Sequence, residues 1–257
     1  MNAAAADTPV AGVDGCKGGW VAVARLPGHM PAASVNPSFE DLLASLPGET
    51  IIAVDMPIGL PERTGQGGRG PEQLVRRHLG PRQSSVFSIP SRAAVHAETA
   101  AFTDLDQWYA AHRRASAVAR ATSDPPRAIS IQAFAIFPEI REIDLALRRR
   151  PDLAGRVIES HPEAALWRLN GERAMALPKK IKGAVNRPGI EERQRLLVGL
   201  GVDPGLFAAV PPGAAADDLT DAAALLFVAE RHATGLSIPF PDPSLKDASG
   251  LPIAIWT

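Results

Sequence analysis

The chain has 257 residues, 46% of them hydrophobic and 21% charged, so it can bury a core; disordered, collagen-like and small disulfide-stapled chains are excluded. Its 27 basic and 28 acidic residues leave a formal net charge of −1, which argues against a protein that coats nucleic acid or membrane by bulk charge. The single cysteine, Cys16, excludes an internal disulfide and a cysteine-based zinc site.

The chain start and the apolar runs bear on location. Residues 1–9 are rich in alanine and lack the basic and apolar regions of a signal peptide, so we expect a frayed tail. The longest strongly apolar stretch, residues 222–229, is far shorter than the roughly 20 residues that a membrane helix needs. These features predict a cytoplasmic protein that does not enter a membrane.

The first elements predicted along the chain belong to a sheet. Residues 10–14 and 20–26 are short apolar runs separated by glycine-rich turn residues at 15–19, which predicts a hairpin. Residues 39–46 have helical spacing, and residues 51–55 are a continuous apolar run that predicts a central strand.

The middle and end of the chain are mostly helical in pattern. Residues 58–70 form a glycine-rich loop with Arg63 and Arg69, and a second buried strand is predicted at 156–160. A proline at position 138 is expected to bend the helix in which it lies. The predicted helices span residues 71–78, 91–101, 104–121, 130–150, 163–169, 190–200 and 219–233.

Acidic residues follow the predicted buried strands. Asp14, Asp55 and Glu159 lie at or just after strand ends, and Asp217, Asp218 and Asp221 begin the last helix. A desolvated carboxylate needs hydrogen-bond donors or a cation. Convergent carboxylates without a histidine or cysteine cluster fit magnesium better than zinc.

Each acid also has an ordinary structural interpretation, which stays open at this point. Asp217 or Asp218 can cap the helix, while Asp221 lies one turn from both and can share a face with either. Asp55, before Met56-Pro57, and Asp14, before Gly15, can be turn residues.

Five blocks in order resemble one family. They read GVDGCKGGW (12–20), AVDMPIGLPE (53–62), SSVFSIPSR (84–92), ESHPE (159–163) and DDLTDAAALL (217–226). Together they resemble the domain-of-unknown-function 429 family, a set of predicted nucleases with a ribonuclease-H-like fold, over about residues 10–234. The resemblance implies an α/β fold in which a mixed sheet of three antiparallel strands plus parallel strands is flanked by helices. We expect one domain over residues 1–257, with a mostly helical insertion at about 63–150.

The resemblance also implies a set of site residues. It points to a metal-dependent nuclease that holds one or two Mg²⁺ or Mn²⁺ ions, activates a water for attack on a phosphodiester and leaves 3′-hydroxyl and 5′-phosphate ends. The implied metal ligands and catalytic residues are Asp14, Asp55, Glu159, Asp218 and Asp221.

Histidine and basic residues extend the candidate site. His161 follows Glu159 by two residues, so an extended chain puts both on one side; it is a candidate proton shuttle or a locally bonded histidine. Residues 61–95 and 177–195 each carry four more basic than acidic residues and can hold phosphates or simply face solvent. The candidate substrate-binding residues are Lys17, Arg82, Ser84, Lys179, Lys180 and Arg193.

Two other functions compete with the nuclease. The hairpin Gly12–Gly19 also suits an actin-like nucleotide phosphotransferase or ATPase, although no second glycine-rich hairpin of that form follows. A non-catalytic module that binds a nucleotide or nucleic acid is the third hypothesis. Nucleic acid, a nucleotide and a small phosphodiester all remain as partners, and no oligomeric state is predicted.

Overall fold

The computed structural model describes residues 8–257, so residues 1–7 of the predicted tail lie outside the described residues. The central feature is a five-stranded sheet in the order β3-β2-β1-β4-β5. The first three strands pair antiparallel, whereas β4 and β5 run parallel to β1. The strands are β1 (Val10–Cys16), β2 (Gly19–Arg25), β3 (Ala32–Asn36), β4 (Ile51–Val54) and β5 (Val157–Glu159).

Helices cover this sheet, and the five α-helices between β4 and β5 all lie within residues 63–150, the range of the expected insertion. The helices are α1 (Phe39–Ser45), α2 (Pro71–Arg76), α3 (Arg92–Val95), α4 (Leu105–Ala121), α5 (Ile131–Ala135), α6 (Phe137–Arg149), α7 (Pro162–Leu169), α8 (Arg187–Gly199), α9 (Gly205–Ala208) and α10 (Ala216–Ala233). Short 3₁₀ turns lie at Gly80–Ser85 and Pro151–Gly155. This mixed sheet flanked by helices confirms the α/β, ribonuclease-H-like fold class.

Two small hairpins complete the fold. One pairs β6 (Lys180–Ile181) with β7 (Ala184–Val185), and the other pairs β8 (Pro239–Lys246) with β9 (Pro252–Trp256). No helix within residues 8–257 has the length and apolarity required to cross a membrane.

The sheet is buried on both faces because its strands are apolar at successive positions. Along β1, Ala11 and Val13 pack into one core with α1 and α6, whereas Val10 packs into the opposite core with α10. On β4, Ile52 packs into the core on the side of α1 and α6, and Ala53 packs into the core on the side of α10. Side chains alternate across a strand, so a continuous apolar run fits a sheet with both faces covered.

The first hairpin is tighter than expected. The strands continue to Cys16 and Gly19, leaving only residues 17 and 18 as the turn. Gly19 has φ of +113°, a region that favours glycine, and a Cβ there would lie 2.3 Å from the Asn36 carbonyl oxygen.

Several helix predictions differ from the structure in length. The helix predicted at 91–101 shortens to α3, which Ser91 caps by accepting from Ala94 N–H. The helix predicted at 130–150 is two helices that separate at Ile136, with Pro138 in the first turn of α6. Proline is common in the first turn of a helix. The N–H groups of that turn have no acceptor within the helix, so no hydrogen bond is lost when proline lacks one.

Candidate metal centre

Two strands bring Asp14 and Asp55 to the same edge of the sheet. Asp14 lies near the end of β1, and Asp55 directly follows β4, the parallel neighbour. The Asp55 N–H donates to the Val13 carbonyl at 2.9 Å, which continues the pairing one residue beyond the strand. Both acids therefore lie at or just after the end of a strand, as the sequence predicts.

The last helix supplies a third acid because it packs unusually close to β1. A Cβ on Gly12 would lie only 2.1 Å from the carbonyl oxygen of Ala222 and from the amide nitrogen of Leu226. Glycine at position 12 thus lets the backbone of α10 touch the strand. This close approach places Asp221, in the second turn of α10, beside Asp14 and Asp55.

Asp14, Asp55 and Asp221, here termed the acidic triad, form a group that can hold a metal ion. Each offers one carboxylate oxygen, and these three oxygens all lie within 4.8 Å of one another. Asp14 and Asp221 are buried, at 9% and 4% exposure. Hard oxygen donors of this kind suit Mg²⁺, Mn²⁺ or Ca²⁺ rather than a metal that prefers thiolates.

The electrostatics of the triad show that its negative charge is poorly compensated. Burial, and then repulsion from Asp55 and Asp221, raises the pKa of Asp14 well above its ordinary value. Burial also raises the pKa of Asp55 to about 7 and that of Asp221 to about 6, although Lys179 opposes both shifts. A carboxylate that is both desolvated and close to like charges takes up a proton unless a cation is supplied.

Lys179 is the cation that the chain itself supplies. Its Nζ contacts Asp221 Oδ2, and the pKa of Lys179 is raised because nearby carboxylates outweigh the effect of burial. Asp221 Oδ1, in contrast, is buried without a hydrogen-bond partner. An unpartnered carboxylate oxygen within a group of three acids fits a divalent cation as the missing partner.

Glu163 adds a fourth carboxylate near the triad. It lies in the first turn of α7; its Oε1 accepts from Arg193 Nη2 at 2.6 Å, and its Oε2 is buried without a partner. Its charge contributes to raising the pKa of both Asp55 and Asp221. Arg193, a candidate substrate-binding residue, is completely buried in this pair, so it is not placed to meet a substrate.

Glu159 lies outside the triad although it follows its strand as expected. Arg69 Nη1 and Nη2 donate to its carboxylate at 3.0 and 2.6 Å, and Ile58 N–H donates at 2.7 Å. Burial disfavours the charge of Arg69, but Glu159 and Glu72 outweigh this and raise its pKa. Glu159 therefore anchors the 58–70 loop through Arg69 and Ile58. It does not belong to the group of acids that can hold a metal ion, where the family resemblance had placed it.

His161 is held by local bonds. Its Nδ1 accepts from the Glu163 N–H at 3.2 Å, and its Nε2 lies 3.3 Å from the Ser85 carbonyl oxygen. Burial lowers its pKa, which favours a neutral ring with the proton on Nε2. Since both ring nitrogens are engaged, this geometry favours the locally bonded histidine over the proton shuttle.

The acids that begin α10 have separate partners. Asp218 Oδ2 accepts from the Ala215 N–H at 2.9 Å, which caps the helix, and Asp217 pairs with Lys180 at 2.9 Å. Neither belongs to the triad. The sequence left open whether Asp217 or Asp218 shares a helix face with Asp221. In the structure only Asp221 faces the edge of the sheet, and Asp218 caps the helix.

The remaining candidate substrate residues are dispersed. Lys17 and Ser84 are exposed, while Arg82 is half-buried with an unpartnered Nε. Ser84 lines a separate groove rather than the cavity at the triad. These residues, selected from the sequence as substrate-binding candidates, therefore do not line one common cavity.

A cavity of about 280 Å³ opens beside the triad and is lined by Asp14 and Asp55. Five carboxyl groups and one guanidinium line it, so it is acidic. Its other walls are largely apolar. The charged lining residues are Asp14, Asp55, Arg69, Glu72, Glu139 and Glu159.

Three residues of this region were not selected from the sequence: Arg69, Glu139 and Glu163. Glu163 belongs to the ESHPE block and lies four residues after Glu159, so the block that was recognised in the sequence does contain this carboxylate. Arg69 is one of six arginines in a basic stretch, and Glu139 lies in a helix with several charges. Nothing local distinguishes these two from surface residues.

Comparison with known proteins identifies the family. The model of the family described as "Protein of unknown function (DUF429)" matches residues 12–246, nearly the whole chain. No curated protein and no solved structure gives a significant match. The match includes all three residues of the acidic triad. The chain belongs to the domain-of-unknown-function 429 family.

Proposed function

We propose that this protein is a divalent-metal-dependent phosphodiester hydrolase, a nuclease that uses Mg²⁺ or Mn²⁺. The observation that carries the proposal is the acidic triad, in which the buried Asp14 and Asp221 and the half-buried Asp55, from two parallel strands and one helix, offer oxygens within 4.8 Å of one another. The poorly compensated charge of the triad supports a bound cation, since burial raises the pKa of all three acids and neighbouring carboxylates add to each shift.

Each residue of the site has a role in this reaction. Asp14, Asp55 and Asp221 would hold the metal through hard oxygen ligands. When bound, a divalent ion lowers the pKa of water and neutralises charge on the phosphate. Lys179 holds Asp221 and, as an ammonium with three donors, can also donate to a phosphate oxygen. Attack by water then leaves a 3′-hydroxyl and a 5′-phosphate end.

The charge of the cavity supports metal dependence. Five carboxyl groups and one guanidinium line it, so a phosphodiester is repelled unless cations are present. Outside the cavity, the exposed residues Lys182, Arg187 and Arg195 can contact phosphates further along a chain. Nucleic acid is therefore the favoured substrate class.

The phosphotransferase alternative finds less support. Within residues 8–257 the five-stranded sheet occurs once, and the other two sheets have two strands each. An actin-like phosphotransferase built from two related halves would present two such sheets. The non-catalytic binding module differs from the nuclease only in turnover, so the experiment below decides between them.

The test is a cleavage assay on labelled single-stranded DNA, RNA, duplex, hybrid and branched substrates with Mg²⁺, Mn²⁺ or a chelator. We expect metal-dependent cleavage that falls at least about 100-fold in Asp14→Asn and Asp55→Asn. Asp152→Asn is the matched control, since its side chain is 64% exposed, and it should cleave like the wild type. Cleavage in the presence of chelator, or full activity in both triad variants, would contradict the proposal. A folded, metal-binding wild type that cleaves nothing would favour the binding module.

A further inference from the structure

One carboxylate of the cavity has an oxygen without a hydrogen-bond partner and belongs to neither the triad nor an ion pair. Glu139 lies in the first turn of α6, lines the cavity, and has a buried Oε2 without a hydrogen-bond partner. Its side chain passes over Gly15, where a Cβ would lie 3.8 Å from Glu139 Cγ. Glu139 thus lies beside the residue that follows Asp14 in the chain.

The helix that carries Glu139 is firmly placed. One turn further on, Glu142 accepts from the indole Nε1 of Trp20 at 2.9 Å, which ties α6 to β2 of the central sheet. Trp20 itself is 1% exposed. The position of Glu139 relative to Asp14 is therefore set by the core rather than by a flexible loop.

Apart from its carboxylates, most polar groups of the cavity wall are already hydrogen-bonded within the protein. Ser85 Oγ donates to the Arg82 carbonyl at 2.8 Å, and Ser160 Oγ donates to the Trp256 carbonyl at 2.8 Å. Arg69 is bound by Glu159 and Glu72. His161, which also lines the cavity, is held by its bonds to Glu163 and Ser85. The apolar residues of the wall are Met56, Pro57, Val86, Phe87, Ile89, Ile136 and Ile255.

A ligand that fits this wall is apolar on its faces and carries an N–H donor at its edge. Resting on the proposed phosphodiester hydrolysis, we propose that the cavity binds the nucleobase of an unpaired nucleotide and that Glu139 Oε2 accepts a hydrogen bond from its exocyclic amine. Adenine and cytosine carry such an amine, whereas hypoxanthine and uracil have a carbonyl at that position. Base faces pack well on apolar and aromatic side chains such as Phe87.

The size of the cavity favours one nucleotide over a duplex. At about 280 Å³ it lies at the lower limit of small-ligand pockets, which span about 300–1,000 Å³. A double helix, whose major groove alone is about 12 Å wide, does not enter such a space. The nucleotide can come from the end of a single strand or from a small phosphodiester.

A second cation is the main rival partner for Glu139. Within residues 8–257, the triad is the group of acids whose oxygens lie close enough to share an ion, and Glu139 is not part of it. An N–H donor from a ligand therefore fits better than a metal.

The experiment measures nucleotide binding by calorimetry in the presence of Mg²⁺, using two pairs that differ only in the amine: AMP against IMP, and CMP against UMP. Because burial raises the pKa of Glu139, the buffer is set on the alkaline side, at about pH 8, to favour the ionised carboxylate. We expect AMP and CMP to bind roughly tenfold more tightly than IMP and UMP.

Three variants test the assignment. Glu139→Gln should reduce this preference to less than about twofold, because the amide presents both a donor and an acceptor. Phe87→Ala should weaken all four nucleotides by about five- to tenfold and leave the preference in place. Glu191→Gln, at an exposed position of α8, is the matched control and should bind like the wild type.

Each outcome bears on the inference. Equal affinities within both pairs, a preference retained in Glu139→Gln, or no nucleotide binding would each overturn it. A lower number of bound metal ions in Glu139→Gln would overturn it in favour of a second cation. Failure of the hydrolase proposal shows up separately, as nucleotide binding with the expected preference but no metal-dependent cleavage.

Discussion

Two kinds of buried carboxylate lie side by side at the end of the sheet. Glu159 has a guanidinium and a backbone N–H as partners, whereas the acidic triad shares one lysine. Removing a partner from the first kind leaves a buried charge alone, while neutralising a member of the second kind relieves repulsion. Removing the partner of Glu159 is therefore expected to destabilise the protein, whereas neutralising an acid of the triad is expected to stabilise it.

The first prediction concerns Arg69, which is completely buried between Glu159 and Glu72. Arg69→Met should lower the free energy of unfolding by about 3–5 kcal/mol, because two buried carboxylates lose their cation. Urea denaturation measures this, with Arg63→Met as the matched control, since Arg63 lies in the same loop but is exposed. A loss below about 1 kcal/mol would show that the pair is not needed to hold the 58–70 loop.

The second prediction is a pH dependence of the metal-free protein. Burial raises the pKa of Asp55 to about 7 and of Asp221 to about 6, and it also raises the pKa of Glu159, outside the triad, to about 7. In an unfolded chain aspartate titrates near about 3.9 and glutamate near about 4.3. Between these values the folded state binds more protons than the unfolded state, so stability should fall as pH rises from about 4 to about 7. Added Mg²⁺ should reverse the fall.

Thermal unfolding across this pH range, with and without Mg²⁺, measures the effect. Asp55→Asn should make the profile shallower, while Asp221 and Glu159 still contribute to the fall. It should melt at or above the wild-type temperature near neutral pH, since it removes one of the repelling charges. Asp152→Asn, which changes an exposed acid, should leave the profile as it is. Stability that rises with pH over this range would contradict our account of the triad.

At the scale of elements, the contact between β1 and α10 determines whether the triad forms. Gly12→Ala would place a Cβ 2.1 Å from two backbone atoms of α10, so the helix must move away from the strand. We expect a loss of about 3 kcal/mol or more together with weaker metal binding.

Denaturation and metal titration of Gly12→Ala check both effects. Gly48→Ala is the control, because a Cβ at Gly48 meets nothing within 4 Å; its stability should stay within about 0.5 kcal/mol of the wild type. A stable Gly12→Ala that binds metal normally would mean that the distance between β1 and α10 does not set the site.

The elements differ in how well they could be predicted. Strands β1, β2 and β4 are short apolar runs with clear turn signals, and α10 has a long apolar pattern, so each was expected close to its place. Strand β8 was not, since it contains three prolines, at 239, 241 and 243, and proline argues against a strand. Strands β6 and β7 have two residues each, too few for a pattern to show.

At the scale of the whole molecule, the site needs parts that are far apart in sequence. The family resemblance implied that Asp14 and Asp55 are neighbours at the ends of parallel strands, and helix spacing made Asp221 a candidate. Whether Glu159 or Glu163 faces the triad depends on Arg69, which reaches Glu159 from 90 residues away. No local pattern encodes that pairing, so the ESHPE block could be recognised but its two acids could not be told apart.

The helices between β4 and β5 complete the molecule by closing the cavity. Residues 85–89 and α6 form walls opposite the strand ends, and they supply both the apolar surface and Glu139. The sheet and α10 thus provide the chemistry, while the inserted helices determine the space in which a substrate fits. Changes in the insertion should alter substrate preference more than metal binding.

The central claim is that the acidic triad holds the divalent cation on which hydrolysis depends. The most direct measurement is a crystal structure with Mn²⁺, in which anomalous scattering locates the ion. Our account predicts a peak at bonding distance from carboxylate oxygens of Asp14, Asp55 and Asp221, with Asp218 and Glu159 outside the coordination shell. A peak at Glu159, or no peak at the triad at millimolar Mn²⁺, would contradict it.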